Sequence, residues 1–348
     1  MPSSLKSRAG ALLSNKSGFA GGAEHALAAI FSVGGATLSA DEARFFRESN
    51  PLGFILFARN CENPAQLRAL VAALKESVGR DCPILIDQEG GRVQRLKPPQ
   101  WRQYPPMKIF GDMAAGDMEH ALEDLRFTIL QLGEDLRDAG INVNCAPVLD
   151  VLTPDTHDAI GDRAFSEDPK IVARLGLSVC RNLLAAGITP VVKHMPGHGR
   201  PTQDTHHDLP VVNAALAELE STDFAPFKSL AASDVAAGIW GMTAHIIFPA
   251  IDSERPVTVS EAGITKIIRQ AIGFDGFLLS DDLDMKALNK YGDIAQRAGL
   301  VIGAGCDAAL YCWAKLDVME KMAKTVPKLS QKALERLQKA AELSTLAA

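Results

Sequence analysis

No two cysteines of this chain stand in a Cys-x-x-Cys pair, and no apolar run approaches the roughly 20 residues a membrane-spanning helix needs. Basic residues are not in excess either, since the formal net charge is −6, so nothing marks a nucleic-acid surface. The six cysteines (Cys61, Cys82, Cys145, Cys180, Cys306, Cys312) are scattered, mostly inside apolar segments. They read as reduced core residues of a cytoplasmic protein, not as a zinc or disulfide framework. The apolar run at 26–33 is short, follows Glu24 and His25, and passes straight into a Gly-Gly turn. It therefore reads as a strand and not as a signal peptide. No Gly-x-Gly-x-x-Gly follows that first strand, so a dinucleotide site lacks its fingerprint. Low-complexity repeats, coiled-coil heptads and Pro/Ser-rich linkers are missing as well.

What is present is 348 residues at 47% hydrophobic content, enough for a sizeable core. Strand-like runs fall at 29–33, 53–58, 83–87, 141–150, 189–193, 237–245, 276–281 and 307–312. Helical patterns separate them: one after Asp41-Glu42, one opened by Asn63-Pro64 and ending near Ser77, and others at 118–139, 168–186, 214–232, from Ser260 to 271, and at 294–304. A charged helix closes the chain from about Ser330. Eight strands alternating with helices predict an α/β fold, a single-domain (β/α)8 TIM-type barrel, over a doubly wound open sheet. The expected division is a mobile Ser/Gly/Lys-rich extension at 1–22 and a catalytic barrel at 23–348 with its C-terminal helix.

In such a barrel ligands bind at the C-terminal strand ends. The fifth strand ends in Lys193 and His194 and opens into a loop punctuated by Pro196, Gly197 and Gly199, which then carries His198, Asp204, His206 and His207. Three readings compete for these groups. Asp204 orients His206 as a general acid/base; or His194, His198, Asp204, His206 and His207 include metal ligands; or the loop is a solvated connection. The metal reading is the weaker one, because the spacing matches no Cys-rich zinc pattern and no His-Glu-x-x-His helix. The third strand ends in Asp87-Gln88-Glu89-Gly90-Gly91-Arg92-Val93-Gln94-Arg95, which suits sugar hydroxyls or an anion, or else a salt-bridged turn. Arg163, after the fourth strand, is a ligand contact or a surface charge. His245, after the sixth, reads as a satisfied core histidine. The seventh ends in Ser280-Asp281-Asp282-Leu283-Asp284, whose adjacent aspartates should face opposite sides of a strand, one towards the site.

Four stretches together resemble bacterial β-N-acetylglucosaminidases of glycoside hydrolase family 3. They are Gly53-Phe54-Ile55-Leu56-Phe57-Ala58-Arg59-Asn60, the Asp87–Arg95 stretch above, Lys193-His194-Met195-Pro196-Gly197-His198-Gly199 with Asp204-Thr205-His206, and Ser280-Asp281-Asp282-Leu283-Asp284-Met285. The likeness runs from about Ala29 to Cys312, and the short chain looks like the single-barrel, cell-wall-recycling branch. That resemblance implies retaining hydrolysis through a covalent glycosyl-enzyme on Asp281, with His206 paired to Asp204 as acid/base. It implies substrate contacts at Asp87, Arg95, Arg163, Lys193 and His194. The implied substrate is a muropeptide-type fragment, N-acetylglucosamine linked to 1,6-anhydro-N-acetylmuramic acid with or without peptide. The loop departs from the commoner spelling in Met195 and in the spacer Arg200-Pro201-Thr202-Gln203.

Residue chemistry agrees with that implication. An imidazole titrating near pH 6.5 can protonate a leaving oxygen and later deprotonate water, in place of the second carboxylate of most retaining enzymes. No cofactor and no metal is expected. The expected partner is the small-molecule substrate, without nucleic acid or membrane, and the chain is taken as a monomer or weak dimer. A phosphorylase on the same scaffold, a metal-dependent hydrolase and a non-catalytic sugar-binding barrel are the competing functions.

Overall fold

A computed structural model of the chain describes residues 18–201 and 209–346. Eight parallel strands close a barrel in the order β1 to β8: Leu27–Ser32, Pro51–Leu56, Ile84–Ile86, Val143–Asn144, Thr189–Met195, Trp240–Thr243, Leu278–Asp282 and Ala308–Leu310. The closing pair is β1 with β8, through Ala29 opposite Ala309 and Ile30 opposite Leu310. Residues of these strands are buried almost throughout, as expected where helices cover the outer face and side chains fill the interior.

The helices lie where local signals put them. Asn63 accepts the Gln66 N–H, Pro64 takes the first helical position, and Gly79 at φ 66° ends Pro64–Val78. Asp117 caps Met118–Asp138, which buries Leu125, Ile129, Leu132 and Leu136. Ser260 accepts the Gly263 N–H ahead of Ala262–Ala271, which winds as a π-helix. Two further helices, Met107–Gly116 and Leu316–Thr325, lie outside the expected set.

Three differences from expectation have physical reasons. The fourth strand stops at Asn144 because Pro147 has no N–H to extend the ladder; only the isolated bridge Val148–Lys193 continues it. The single helix expected at 214–232 is two, Leu216–Ser221 and Ala225–Ala231, broken where Asp223 turns its buried carboxylate to Arg200. Part of the expected 1–22 extension packs on the barrel: Phe19 is buried, its ring 6.0 Å from that of Trp240, which in turn contacts Phe277 at 4.5 Å. Residues 1–17 of the expected extension lie outside the described residues. Among the described residues no helix is long and apolar enough to cross a membrane.

Candidate active site

Parallel strands bring all their C-terminal ends to one rim, so residues far apart in sequence converge there. A cavity of about 430 Å³ opens at that rim. Asp87, Arg95, Arg163, Lys193, His194 and Asp281 all line it, together with Glu89, His198, Asp282 and Trp313. Asp204, His206 and His207 lie outside the described residues, so the dyad and its distance from Asp281 are not part of the geometry.

A five-member charge network forms one part of the cavity. The Lys193 ammonium, nearly inaccessible, donates to Asp87 Oδ1 at 2.9 Å and lies 2.6 Å from Glu89 Oε1. Arg163 grips Glu89 through Nε at 2.8 Å and Nη2 at 2.9 Å, and Arg95 Nη2 donates to Asp87 Oδ2 at 3.1 Å. Arg163 is therefore a buried partner of Glu89 in the cavity and not a surface charge. Burial by itself raises the pKa values of Asp87 and Glu89, but the facing cations outweigh it and hold both well below the usual carboxylate range. Burial likewise lowers that of Lys193, and the two carboxylates push it back above its ordinary value. All of these groups carry charge at neutral pH.

His194 is oriented from behind. Its Nδ1 lies 2.7 Å from Asp150 Oδ2, and its backbone N–H donates to Asp150 Oδ1 at 3.1 Å. The His198 N–H donates to the same oxygen at 2.7 Å. Asp150 is fully buried, and against the upward pull of burial His194 holds its pKa down at about 2. An ionised carboxylate only accepts hydrogen bonds, so His194 Nδ1 carries the proton and Nε2 is left for a ligand. His198 is held neutral: burial first, then His194, lowers its pKa to about 4.

Asp281 is the last residue but one of β7, beside these groups. Its Oδ1 accepts the Asp282 N–H at 2.8 Å. Burial would raise its pKa, but His245, His194, that N–H and Lys193 outweigh burial and keep the carboxylate ionised. The strand expected to turn the adjacent aspartates to opposite sides is irregular here, with a β7–β8 register shift between Leu279 and Asp282. Both line the cavity, yet Asp282 is occupied: it accepts from Cys312 N at 3.1 Å and Trp313 Nε1 at 3.0 Å. His245 is buried, with Nε2 3.0 Å from the Asp282 carbonyl oxygen. Its Nδ1 has no hydrogen-bond partner among the described residues, so this core histidine is only half satisfied.

The loop after β5 is seated tightly up to Arg200. A Cβ on Gly199 would lie 1.7 Å from the Val151 carbonyl oxygen, a position only glycine can hold. Arg200 pairs with Asp223 at 2.7 Å and Glu218 at 2.6 Å, beside the break between the two helices there. Among the described residues no group of three or more His, Cys, Asp or Glu is arranged to hold a metal ion.

Sequence reading missed Glu89, Asp150 and Trp313 as site residues. Glu89 had a signal, its spacing of two from Asp87, which places both on one side of an extended chain. Asp150 is a carboxylate at the end of the fourth strand-like run, and Trp313 follows the eighth; both meet the strand-end criterion.

Comparison with known proteins matches residues 27–343 to the glycosyl hydrolase family 3 N-terminal domain. The chain is 36% identical to a β-hexosaminidase of Bordetella avium over 86% of this chain and 85% of that one. It is 38% identical to one of Thiobacillus denitrificans over 83% and 81%. In three dimensions it resembles NagZ of Neisseria gonorrhoeae, solved in complex with N-trifluoroacetyl-D-glucosamine, with a TM-score of 0.83 and 31% identity over 91% of this chain and 90% of that one. It also resembles a family 3 β-N-acetylglucosaminidase of Paenibacillus, with a TM-score of 0.81 and 30% identity over 96% of this chain and 63% of that chain. With a family match across nearly the whole barrel and an ionised aspartate at the end of β7, the chain belongs to glycosyl hydrolase family 3, as a glycoside hydrolase of the β-hexosaminidase type.

Proposed function

We propose that the chain is a retaining exo-β-N-acetylglucosaminidase of cell-wall recycling. It would remove non-reducing terminal N-acetylglucosamine from peptidoglycan fragments ending in 1,6-anhydro-N-acetylmuramic acid, with or without peptide, in the cytoplasm. The observation that carries this reading is the ionised Asp281 carboxylate, sharing one sugar-sized cavity with the Asp87–Lys193–Glu89–Arg163 network and His194. The Neisseria relative binds an N-acylated glucosamine, which supports the same sugar class here.

In the first step Asp281 attacks the anomeric carbon. The bond to the leaving oxygen breaks, and His206 gives that oxygen a proton. In the second, His206 takes a proton from water, the water oxygen attacks the same carbon, and Asp281 leaves as a carboxylate. Asp204 stabilises the protonated imidazole and orients its ring. Lys193, Arg95 and Arg163 offer N–H donors to sugar oxygens, Asp87 offers acceptor positions, and His194 offers Nε2. His198 suits the acid role less than His206 does, because burial, then His194, lowers its pKa to about 4 and disfavours the imidazolium form. No metal or cofactor enters either step, and the chain acts as a monomer or weak dimer on a small-molecule substrate.

Trapping with a slow 2-fluoro sugar and mapping the label by mass spectrometry tests the reading. A label on the peptide containing Asp281 supports it, and a label elsewhere, or none while turnover continues, overturns it. Running the reaction with phosphate and looking for sugar 1-phosphate separates hydrolysis from phosphorolysis.

A further inference from the structure

Trp313 is 57% exposed, and among the described residues it is the exposed large hydrophobic side chain that borders the cavity. An indole left this open normally gains by packing away from water. Here its edge is tied down instead. The ring Nε1–H donates to Asp282 Oδ2 at 3.0 Å, and the other oxygen of that carboxylate accepts the Cys312 N–H at 3.1 Å. The following residue, Ala314, sits at φ 54°. A left-handed conformation is unfavourable for alanine and marks a chain held in place by its surroundings. Two independent features thus fix an aromatic ring that is left open among the described residues, next to the residue that follows the nucleophile.

The rest of the lining says what belongs there. Asp87, Glu89, Lys193, His194 and Arg163 are buried or nearly so and crowd polar groups together, which suits the hydroxyls and amide of the sugar that is cleaved. Trp313 is the open, apolar member of the same lining. A pyranose has apolar C–H faces, and an immobilised aromatic ring at the mouth matches such a face at little entropic loss. We infer that Trp313 is the platform for the second sugar ring, the leaving group, and that Asp282 is its positioning residue. This rests on the glycosidase reading and adds where the aglycone binds: discrimination between leaving groups comes from the loop after β8.

The test compares two substrates, the β-fluoride of N-acetylglucosamine, which has no second ring, and the β-1,4-linked disaccharide of N-acetylglucosamine. Turnover of the fluoride by the wild-type chain tests the glycosidase reading by itself. Trp313→Ala is expected to lower the ratio of kcat/KM for the disaccharide over that for the fluoride by about tenfold, mainly through KM. Trp313→Phe keeps a ring and is expected to fall between. An equal loss on both substrates, meaning a structural role, or an unchanged ratio overturns the platform. A binding measurement needs no turnover. The chain has three tryptophans, Trp101, Trp240 and Trp313. In Asp281→Asn the disaccharide should shift their fluorescence more than N-acetylglucosamine does, and adding Trp313→Phe should abolish the difference. If the difference survives, the second ring lies elsewhere.

Discussion

The Nδ1 of His194 lies 2.7 Å from Asp150 Oδ2, and Asp150 also receives the backbone N–H groups of His194 and His198. One buried carboxylate therefore sets both the ring of a cavity residue and the path of the chain into the loop after β5. Asp150→Ala should leave three N–H groups without this acceptor, two of the backbone and the His194 Nδ1–H, lowering stability by about 3 kcal/mol. Asp150→Asn should keep part of that stability but not the Nδ1–H tautomer of His194. Thermal unfolding and kcat/KM measured together check this: the Asn variant should lose more activity than its change in Tm explains.

Asp281→Asn removes the proposed nucleophile while keeping the shape. It should reduce kcat at least about 10³-fold. Burial works against ionising Asp281, but His245, His194, the Asp282 N–H and Lys193 outweigh it and lower the pKa, so the charge stabilises the fold and the same variant should be less stable than wild type at neutral pH. Activity on an aryl β-N-acetylglucosaminide and a thermal melt check both halves.

His206→Ala should discriminate between leaving groups. A good aryl leaving group departs with little proton assistance, whereas a sugar alkoxide needs it. The variant should retain most of its first-step rate on a dinitrophenyl glycoside and lose about 10²–10⁴-fold on a disaccharide. Equal losses on both would remove His206 from the acid role.

Acid should unfold this protein through the cavity network. Burial works against it, yet Arg163 and Lys193 lower the pKa of Glu89 from 4.5 to about 2, and His194 lowers that of Asp150 from 3.8 to about 2. Where a folded-state pKa is depressed, the unfolded chain binds more protons between the two values, so stability rises with pH across that window. The contribution is present in full above the unfolded values and is lost as pH falls towards 2. Glu89→Gln should flatten this acid limb of a Tm–pH curve. It should also lower stability at neutral pH by roughly 3 kcal/mol, since Lys193 and Arg163 lose a shared counter-charge.

Much of this architecture was legible in the chain itself. β-branched and leucine-rich runs such as Pro51–Leu56 and Leu278–Asp282, spaced by capped helices such as the one Asn63 and Pro64 open, specify a barrel through local propensity and period. Strand-end chemistry and the family resemblance together marked Asp87, Arg95, Arg163, Lys193, His194 and Asp281, all of which line one cavity. What only the tertiary structure decided are relationships between segments far apart in sequence. Glu89 earns its place by lying between Arg163 and Lys193; Asp150 matters because the β4 and β5 ends abut; Asp282 lines the cavity beside Asp281, where the β7–β8 register slips; and Trp313 borders the cavity with its edge held by Asp282. Periodicity reports which side of its own element a residue takes, but a partner arriving from another strand depends on barrel closure and register, which no local pattern encodes.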